Sequence, residues 1–147
     1  MNVGGIPFRT IWLADDKWAV HVIDQRKLPH KFVTARLESL EDAVTAIKDM
    51  WVRGAPLIGA TAAYGMALAM HADPSDKNLD VAHDHLFATR PTAVNLRWAL
   101  ENTKDLLGQL SPNLRADEAY RQAAKICDDD VTICSAIGEN GFDLIKN

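Results

Sequence analysis

Arg53-Gly54-Ala55-Pro56 runs directly into the small apolar stretch LIGATAAYGMALAM at residues 57–70. Pro56 has no backbone N–H, a group that the first turn of a helix would leave unpaired, and its fixed φ angle suits a helix start. The stretch that follows is rich in alanine and glycine, which allow close contact between backbones on several sides. The sequence therefore predicts a central, buried helix that begins at Pro56.

The same four residues suit an anion site at the start of that helix. Arg53 has a planar guanidinium that can fork onto phosphate oxygens, and Gly54 has no Cβ to keep a ligand away from the backbone. The N–H groups of the first turn point outward at the positive end of the helix dipole, where phosphate is favoured. A tight turn with a solvent-exposed arginine is the alternative, and these four residues do not decide between the two.

A second motif repeats the pattern in ATRPTAVNL at residues 88–96. We expect Thr89 or Arg90 near a helix N-cap, Pro91 in the first turn and Asn95 one turn inside the helix. Two helix N-termini that each carry an arginine can converge on one ligand. The alternative is two ordinary proline-initiated helices whose arginines face solvent.

Together the two motifs resemble those of the 5-methylthioribose-1-phosphate isomerase family, which shares a fold with ribose-1,5-bisphosphate isomerase and with regulatory subunits of translation initiation factor 2B. The resemblance covers residues 10–144 and includes IGA at 58–60, AAYGMA at 62–67, WAL at 98–100 and IGENG at 137–141. It implies the aldose–ketose isomerisation of 5-methylthioribose 1-phosphate to 5-methylthioribulose 1-phosphate in methionine salvage, by a homodimer. It also implies that Arg53, Arg90 and the amides of Gly54 and Ala55 bind the sugar phosphate.

The resemblance further implies catalytic groups that this sequence does not contain. In the family, a catalytic cysteine in a Thr-His-Cys-Asn-Ala-Gly context and an aspartate lie in a following Rossmann-like domain. That string is absent here, so we expect residues 1–147 to be the N-terminal domain, with part of the substrate site and no catalytic residue. Cys127 and Cys134 lack the required context and are expected to be buried free thiols.

Two other functions stay open. The first is a non-catalytic regulatory protein that binds a sugar phosphate or a nucleotide, like the initiation-factor subunits. The second is a ribose-1,5-bisphosphate isomerase. The initiation-factor subunits generally lack the full pair of arginine motifs, which favours an enzyme.

Composition bounds the remaining possibilities. The chain has 147 residues, of which 48% are hydrophobic, enough for a single domain with a real core. A net charge of -4 argues against nucleic-acid binding. No apolar run approaches the ~20 residues of a membrane span, and the N-terminus does not resemble a secretory signal, so a cytoplasmic protein is expected. We expect no cofactor. We also expect no metal site, since His83 and His85 would face different sides of a helix. Asp128-Asp129-Asp130 is interpreted as a solvated helix face.

The patterns predict an α+β fold, mainly β over residues 1–38 and helical over 39–147. Three strands, at residues 9–13, 18–23 and 31–37, should form a small antiparallel sheet. About five helices should follow: from Ser39 to near Arg53, from Pro56, around residues 79–88, from Pro91 to about residue 110, and over residues 115–145. The last would be roughly 45 Å long. One domain cannot cover it, so it should pack on something else or on another copy of the chain.

Overall fold

The sheet predicted for the first forty residues is present in the protein, whose computed structural model describes residues 2–146. Strands β3 (Ile11–Leu13), β4 (Val20–Ile23) and β5 (Thr34–Leu37) form an antiparallel sheet in the order β3-β4-β5. His21 pairs with Trp12 on one side and with Arg36 on the other. The α+β prediction is confirmed, with each strand shorter than expected.

Two small elements were not anticipated. A hairpin of two-residue strands, β1 (Asn2–Val3) and β2 (Ile6–Pro7), precedes the sheet, and a short 3-10 helix covers Gln25–Lys27. Residues 31–33 lie outside β5, although the carbonyl of Val33 accepts a hydrogen bond from the backbone N–H of Asp24 at 2.9 Å, directly beyond the last β4–β5 pair of Ile23 and Thr34.

Five α-helices follow within residues 2–146, and the second is the centre of the fold. Every residue from position 57 to position 70 is buried, and the other four helices all contact this helix. The prediction of a central helix rich in small residues is therefore confirmed. The helices are α1 (Leu40–Lys48), α2 (Ala55–Ala72), α3 (Asp76–Thr89), α4 (Val94–Gly108) and α5 (Pro112–Ile145).

The start of α1 is fixed by the predicted cap. The Ser39 hydroxyl oxygen accepts from the Asp42 N–H at 3.2 Å, and the Asp42 carboxylate accepts from the Ser39 hydroxyl at 2.9 Å. The helix ends at Lys48, earlier than expected. Met50 then adopts a positive φ of 59°, and the chain folds back so that the N–H groups of Trp51 and Val52 both donate to the carbonyl of Ala46.

A buried arginine joins three helices at the end of the molecule away from the arginine motifs. The Arg115 side chain is 3% exposed. It donates to the carbonyl oxygens of Leu107 at 3.0 Å, Leu110 at 3.2 Å and Pro74 at 2.9 Å, and it pairs with the Asp76 carboxylate. These contacts connect the start of α3, the end of α4 and the start of α5.

Helix α5 is long and only half covered, as the sequence predicts. Its 34 residues correspond to about 51 Å. It is buried in places up to Cys127, but every residue from 131 to 140 is exposed. Its last part exposes six large apolar side chains, those of Val131, Ile133, Ile137, Phe142, Leu144 and Ile145. In the described part of the chain, no helix combines the length and apolar character needed to cross a membrane.

Candidate substrate-binding site

The N-terminus of α2 has the open geometry predicted for it. Gly54 precedes the helix with a φ of 95°, a backbone conformation that side chains with a Cβ rarely adopt. No side chain caps the helix. Its first backbone hydrogen bond is donated by the Ile58 N–H to the Gly54 carbonyl at 3.0 Å. The amides of Gly54 and Ala55 come before that bond, so they have no acceptor inside the helix.

Arg53 lies just outside this helix start and is exposed to solvent. Its guanidinium makes neither an ion pair nor a hydrogen bond with any other residue in the range 2–146. The arginine, the glycine and the uncapped helix start thus lie next to one another in the chain, with their donors unused. This arrangement is able to bind an anion from solvent.

The second motif has a different geometry from the one expected. Arg90 is half-buried and ends α3, and α4 begins only at Val94, so the expectation that Pro91 opens a helix is wrong. The reason is a turn: the N–H of Ala93 donates to the carbonyl of Arg90 at 3.0 Å, with Pro91 at the second position, which its fixed φ suits. The Thr89 hydroxyl donates to the carbonyl of Leu86 within α3 at 2.5 Å, so it does not cap the following helix α4.

The helix starts that follow the two motifs nevertheless lie side by side. A Cβ placed on Gly59 would be 2.9 Å from the carbonyl oxygen of Asn95 and 3.5 Å from the Cβ of Ala99. Gly59 is the fifth residue of α2 and Asn95 the second of α4. The contact therefore lies about one turn from the start of α2 and within the first turn of α4. Arg90 precedes Asn95 by only five residues, so both motifs approach the same end of the α2–α4 pair.

Two clefts border the start of α2, and the sequence did not predict them. A smaller one of about 220 Å³ lies among residues 8–11, α2 and α5, and a larger one of about 360 Å³ lies among α2, α4 and α5. Pro56 and Asp130 line both. Neither Arg53 nor Arg90 is among the described residues that line them. The larger cleft is lined by Pro56, Gly59, Asn95, Trp98, Ile126, Asp129, Asp130 and Ile133.

The acidic run on α5 is a solvent-exposed helix face at Asp128 and Asp129, as expected, and departs from that at Asp130. Asp128 forms an ion pair with Arg9 at 2.7 Å, and Asp129 pairs with Lys125 one turn earlier. Asp130 is half-buried at the junction of the two clefts. Three neighbouring carboxylates on one helix give no sequence signal for this, because only the packing of α2 against α5 brings Asp129 and Asp130 to the clefts.

The cysteines are free thiols with different surroundings. Cys127 is buried, and burial raises the pKa of its thiol to about 11. Cys134 is exposed, so the expectation of two buried thiols is wrong for it. The reason is that α5 extends past its neighbours beyond Asp130.

The histidines do not form a metal site within the described residues. His83 contacts Asp84 at 2.9 Å and His85 contacts Glu41 at 3.1 Å, so the two rings have separate partners. Within residues 2–146, no three His, Cys, Asp or Glu side chains are grouped so that they could hold a metal ion.

These features define an α+β fold built around a buried helix, whose uncapped start follows an exposed arginine. The chain belongs to the initiation factor 2 subunit family, whose family model matches residues 51–147. The family assignment confirms the resemblance seen in the two arginine motifs.

Individual relatives give more detail. The chain is 56% identical over 146 residues to the methylthioribose-1-phosphate isomerase of Rhodospirillum centenum, covering 99% of this chain and 39% of that protein. It thus spans about two fifths of the length of the curated relatives it matches.

Solved structures are similar too. The 5-methylthioribose 1-phosphate isomerase of Pyrococcus horikoshii is 37% identical, with a TM-score of 0.75, over 84% of this chain and 36% of that one. The delta subunit of the translation initiation factor eIF-2B from A. fulgidus is 36% identical, with a TM-score of 0.76, over 85% of this chain and 38% of that one.

Proposed function

We propose that this chain supplies part of the substrate-binding surface of an enzyme that converts 5-methylthioribose 1-phosphate to 5-methylthioribulose 1-phosphate in methionine salvage. The supporting observation is the identity of 56% across 99% of the chain to a methylthioribose-1-phosphate isomerase. The fold does not separate the candidates, because an isomerase and an initiation-factor subunit superpose equally well. The sequence relationship therefore favours the enzyme.

The proposed ligand contacts are made by four residues. Arg53 forks onto the phosphate, and the amides of Gly54 and Ala55 donate to its oxygens at the positive end of α2. Arg90 reaches the same phosphate or the neighbouring sugar from the turn before α4. Because the phosphate is attached to the anomeric carbon, fixing it also fixes the carbons that react, which is the positioning part of catalysis.

The chemical step is proposed to use groups outside residues 1–147. The phosphate on C1 prevents ordinary opening to a free aldehyde, so the bond from C1 to the ring oxygen breaks as that oxygen gains a proton. The hydrogen of C2 then moves to C1, as a hydride or as a proton relayed by a base, while the C2 hydroxyl loses its proton and becomes the ketone. Cys127, with a thiol pKa near 11, is poorly suited to proton transfer at neutral pH, and Cys134 lies on the uncovered part of α5. We expect the 147-residue chain by itself not to convert 5-methylthioribose 1-phosphate. The protein encoded by the complete gene that contains this sequence should convert it.

Self-association in the cytoplasm is part of the same proposal. Beyond the cleft-lining residues, the end of α5 exposes the apolar side chains of Ile137, Phe142, Leu144 and Ile145, and such a surface associates readily in water. Sedimentation velocity of the 147-residue chain at several micromolar concentrations tests this. A dimer that forms with rising concentration supports the proposal, and a monomer at every concentration contradicts it.

The proposed reaction and its rivals separate in one assay. The complete protein is incubated in turn with 5-methylthioribose 1-phosphate and with ribose 1,5-bisphosphate, and the products are identified by NMR. Conversion of the first substrate supports the proposal. Conversion of the bisphosphate only identifies the other isomerase, and binding of a sugar phosphate or nucleotide without any conversion identifies a regulatory protein.

A further inference from the structure

The larger cleft lies where a ligand held at the start of α2 would extend. Its volume of about 360 Å³ falls within the range of small-molecule sites, roughly 300–1,000 Å³. Pro56 and Gly59 line it, and they follow Gly54 and Ala55 within about one and a half helical turns. A small ligand with its phosphate at the helix start can therefore place its other end in the cleft.

The side chains of the cleft divide into a polar and an apolar group. Asn95, Asp129 and Asp130 provide hydrogen-bond acceptors, which suit sugar hydroxyls. Asp129 pairs with Lys125, whereas Asp130 has no ion pair within residues 2–146, and its carboxylate repels a phosphate. A bound sugar phosphate is thus oriented with its phosphate toward Arg53 and away from the cleft.

The apolar group contains an aromatic side chain that the fold leaves open. Trp98 on α4 is 50% exposed, and Ile133 on α5, which lines the same cleft, is 58% exposed. Ile126 and Pro56 complete this group. Large apolar side chains from separate helices that remain exposed at one cleft are typical of a binding surface.

We propose that this cleft binds the methylthio end of the sugar phosphate, with Trp98 as the residue that determines specificity for it. The inference rests on the proposed function, which supplies a ligand with a phosphate at one end and a thioether at the other. A thioether is apolar and polarisable, and it makes favourable contacts with aromatic rings. A sugar phosphate with a hydroxyl in place of the methylthio group gains nothing from Trp98.

NMR spectra of the ¹⁵N-labelled 147-residue chain test this with 5-methylthioribose 1-phosphate and with ribose 1-phosphate. The Trp98 indole signal is assigned by its loss in Trp98→Phe. We expect both ligands to shift the amides of Gly54 and Ala55, and only the thioether ligand to shift the Trp98 indole. In Trp98→Ala, the Kd of the thioether ligand should rise roughly two- to tenfold, with that of ribose 1-phosphate unchanged.

A matched control is available in Leu114, which is also 50% exposed but lies at the start of α5, about 18 Å along the helix from Ile126, the first cleft residue on α5. Leu114→Ala should leave both Kd values unchanged. If the Gly54 and Ala55 amides shift while the Trp98 indole responds to neither ligand, or if Trp98→Ala weakens both ligands equally, the inference is overturned and the proposed function stands. If neither ligand shifts Gly54 and Ala55, the proposed phosphate site is wrong and the inference falls with it.

Discussion

Gly59 lies so close to Asn95 that a Cβ at position 59 would be 2.9 Å from the Asn95 carbonyl oxygen and 3.4 Å from its carbonyl carbon. Both are backbone atoms of α4, so no side-chain rotation can relieve the overlap. This contact sets the separation of α2 and α4 and brings the two arginine motifs to the same end of the helix pair.

Replacing Gly59 with alanine should therefore destabilise the fold. We expect Gly59→Ala to lower the free energy of unfolding by about 1–3 kcal/mol, since overpacking forces the helices apart. Urea unfolding followed by circular dichroism measures this. Gly108→Ala at the end of α4 is the control, because a Cβ added there would meet no neighbouring atom within 4 Å. This variant should be as stable as wild type, or more stable by up to about 1 kcal/mol. Equal stability of the two variants would contradict the close contact.

Arg115 should contribute more to stability than any exposed arginine. Arg115→Met removes the donors that satisfy three carbonyl oxygens, and we expect a loss of about 2–4 kcal/mol in the free energy of unfolding. Arg121, whose side chain is 71% exposed, is the control. Arg121→Ala should cost at most about 1 kcal/mol. A similar loss in both variants would show that the buried contacts of Arg115 add nothing.

The pair of Asp24 and Arg26 should make stability depend on pH in acid. Hydrogen bonds from the Arg26 side chain hold the pKa of the buried Asp24 carboxyl below its usual value. Its contribution is therefore complete above the ordinary pKa of about 4 and is lost as the pH falls through the lower, folded-state pKa. Asp24→Asn should cost about 1–2 kcal/mol at pH 7, and the difference from wild type should shrink in acid. Unfolding curves across the acidic range test this, and a constant difference would contradict it.

The two thiols should differ in reactivity. The thiolate is the nucleophile, and at pH 8 Cys127 is buried and almost wholly protonated, whereas Cys134 is accessible. Iodoacetamide should therefore modify one site in the folded chain, which peptide mass spectrometry should identify as Cys134, and both sites in urea. Modification of Cys127 at a comparable rate in the folded chain would contradict its burial.

The sequence predicted elements where local chemistry determines the structure. The Ser39 cap, the proline in the first turn of α2 and the run of small residues behind it are local signals, and each is confirmed. The prediction for Pro91 is wrong because proline suits both a helix start and a turn. Only the hydrogen bond from the Ala93 N–H to the Arg90 carbonyl, which forms in the folded chain, distinguishes the turn from a helix start. The clefts could not be predicted, because Trp98 and Asp130 lie on different helices and meet only through tertiary packing.

The measurement that tests the central claim most directly is the isomerase kcat/KM of the complete protein with Arg53→Ala and with Arg90→Ala. A charge-assisted contact to phosphate contributes about 1.5–3 kcal/mol, so each variant should lose roughly ten- to a hundredfold in kcat/KM, and Arg53→Lys should lose less than Arg53→Ala. Arg121→Ala, away from the site, should keep the wild-type value. Folded alanine variants of Arg53 and Arg90 with wild-type kinetics would show that the two arginines are surface residues and that the phosphate is bound elsewhere.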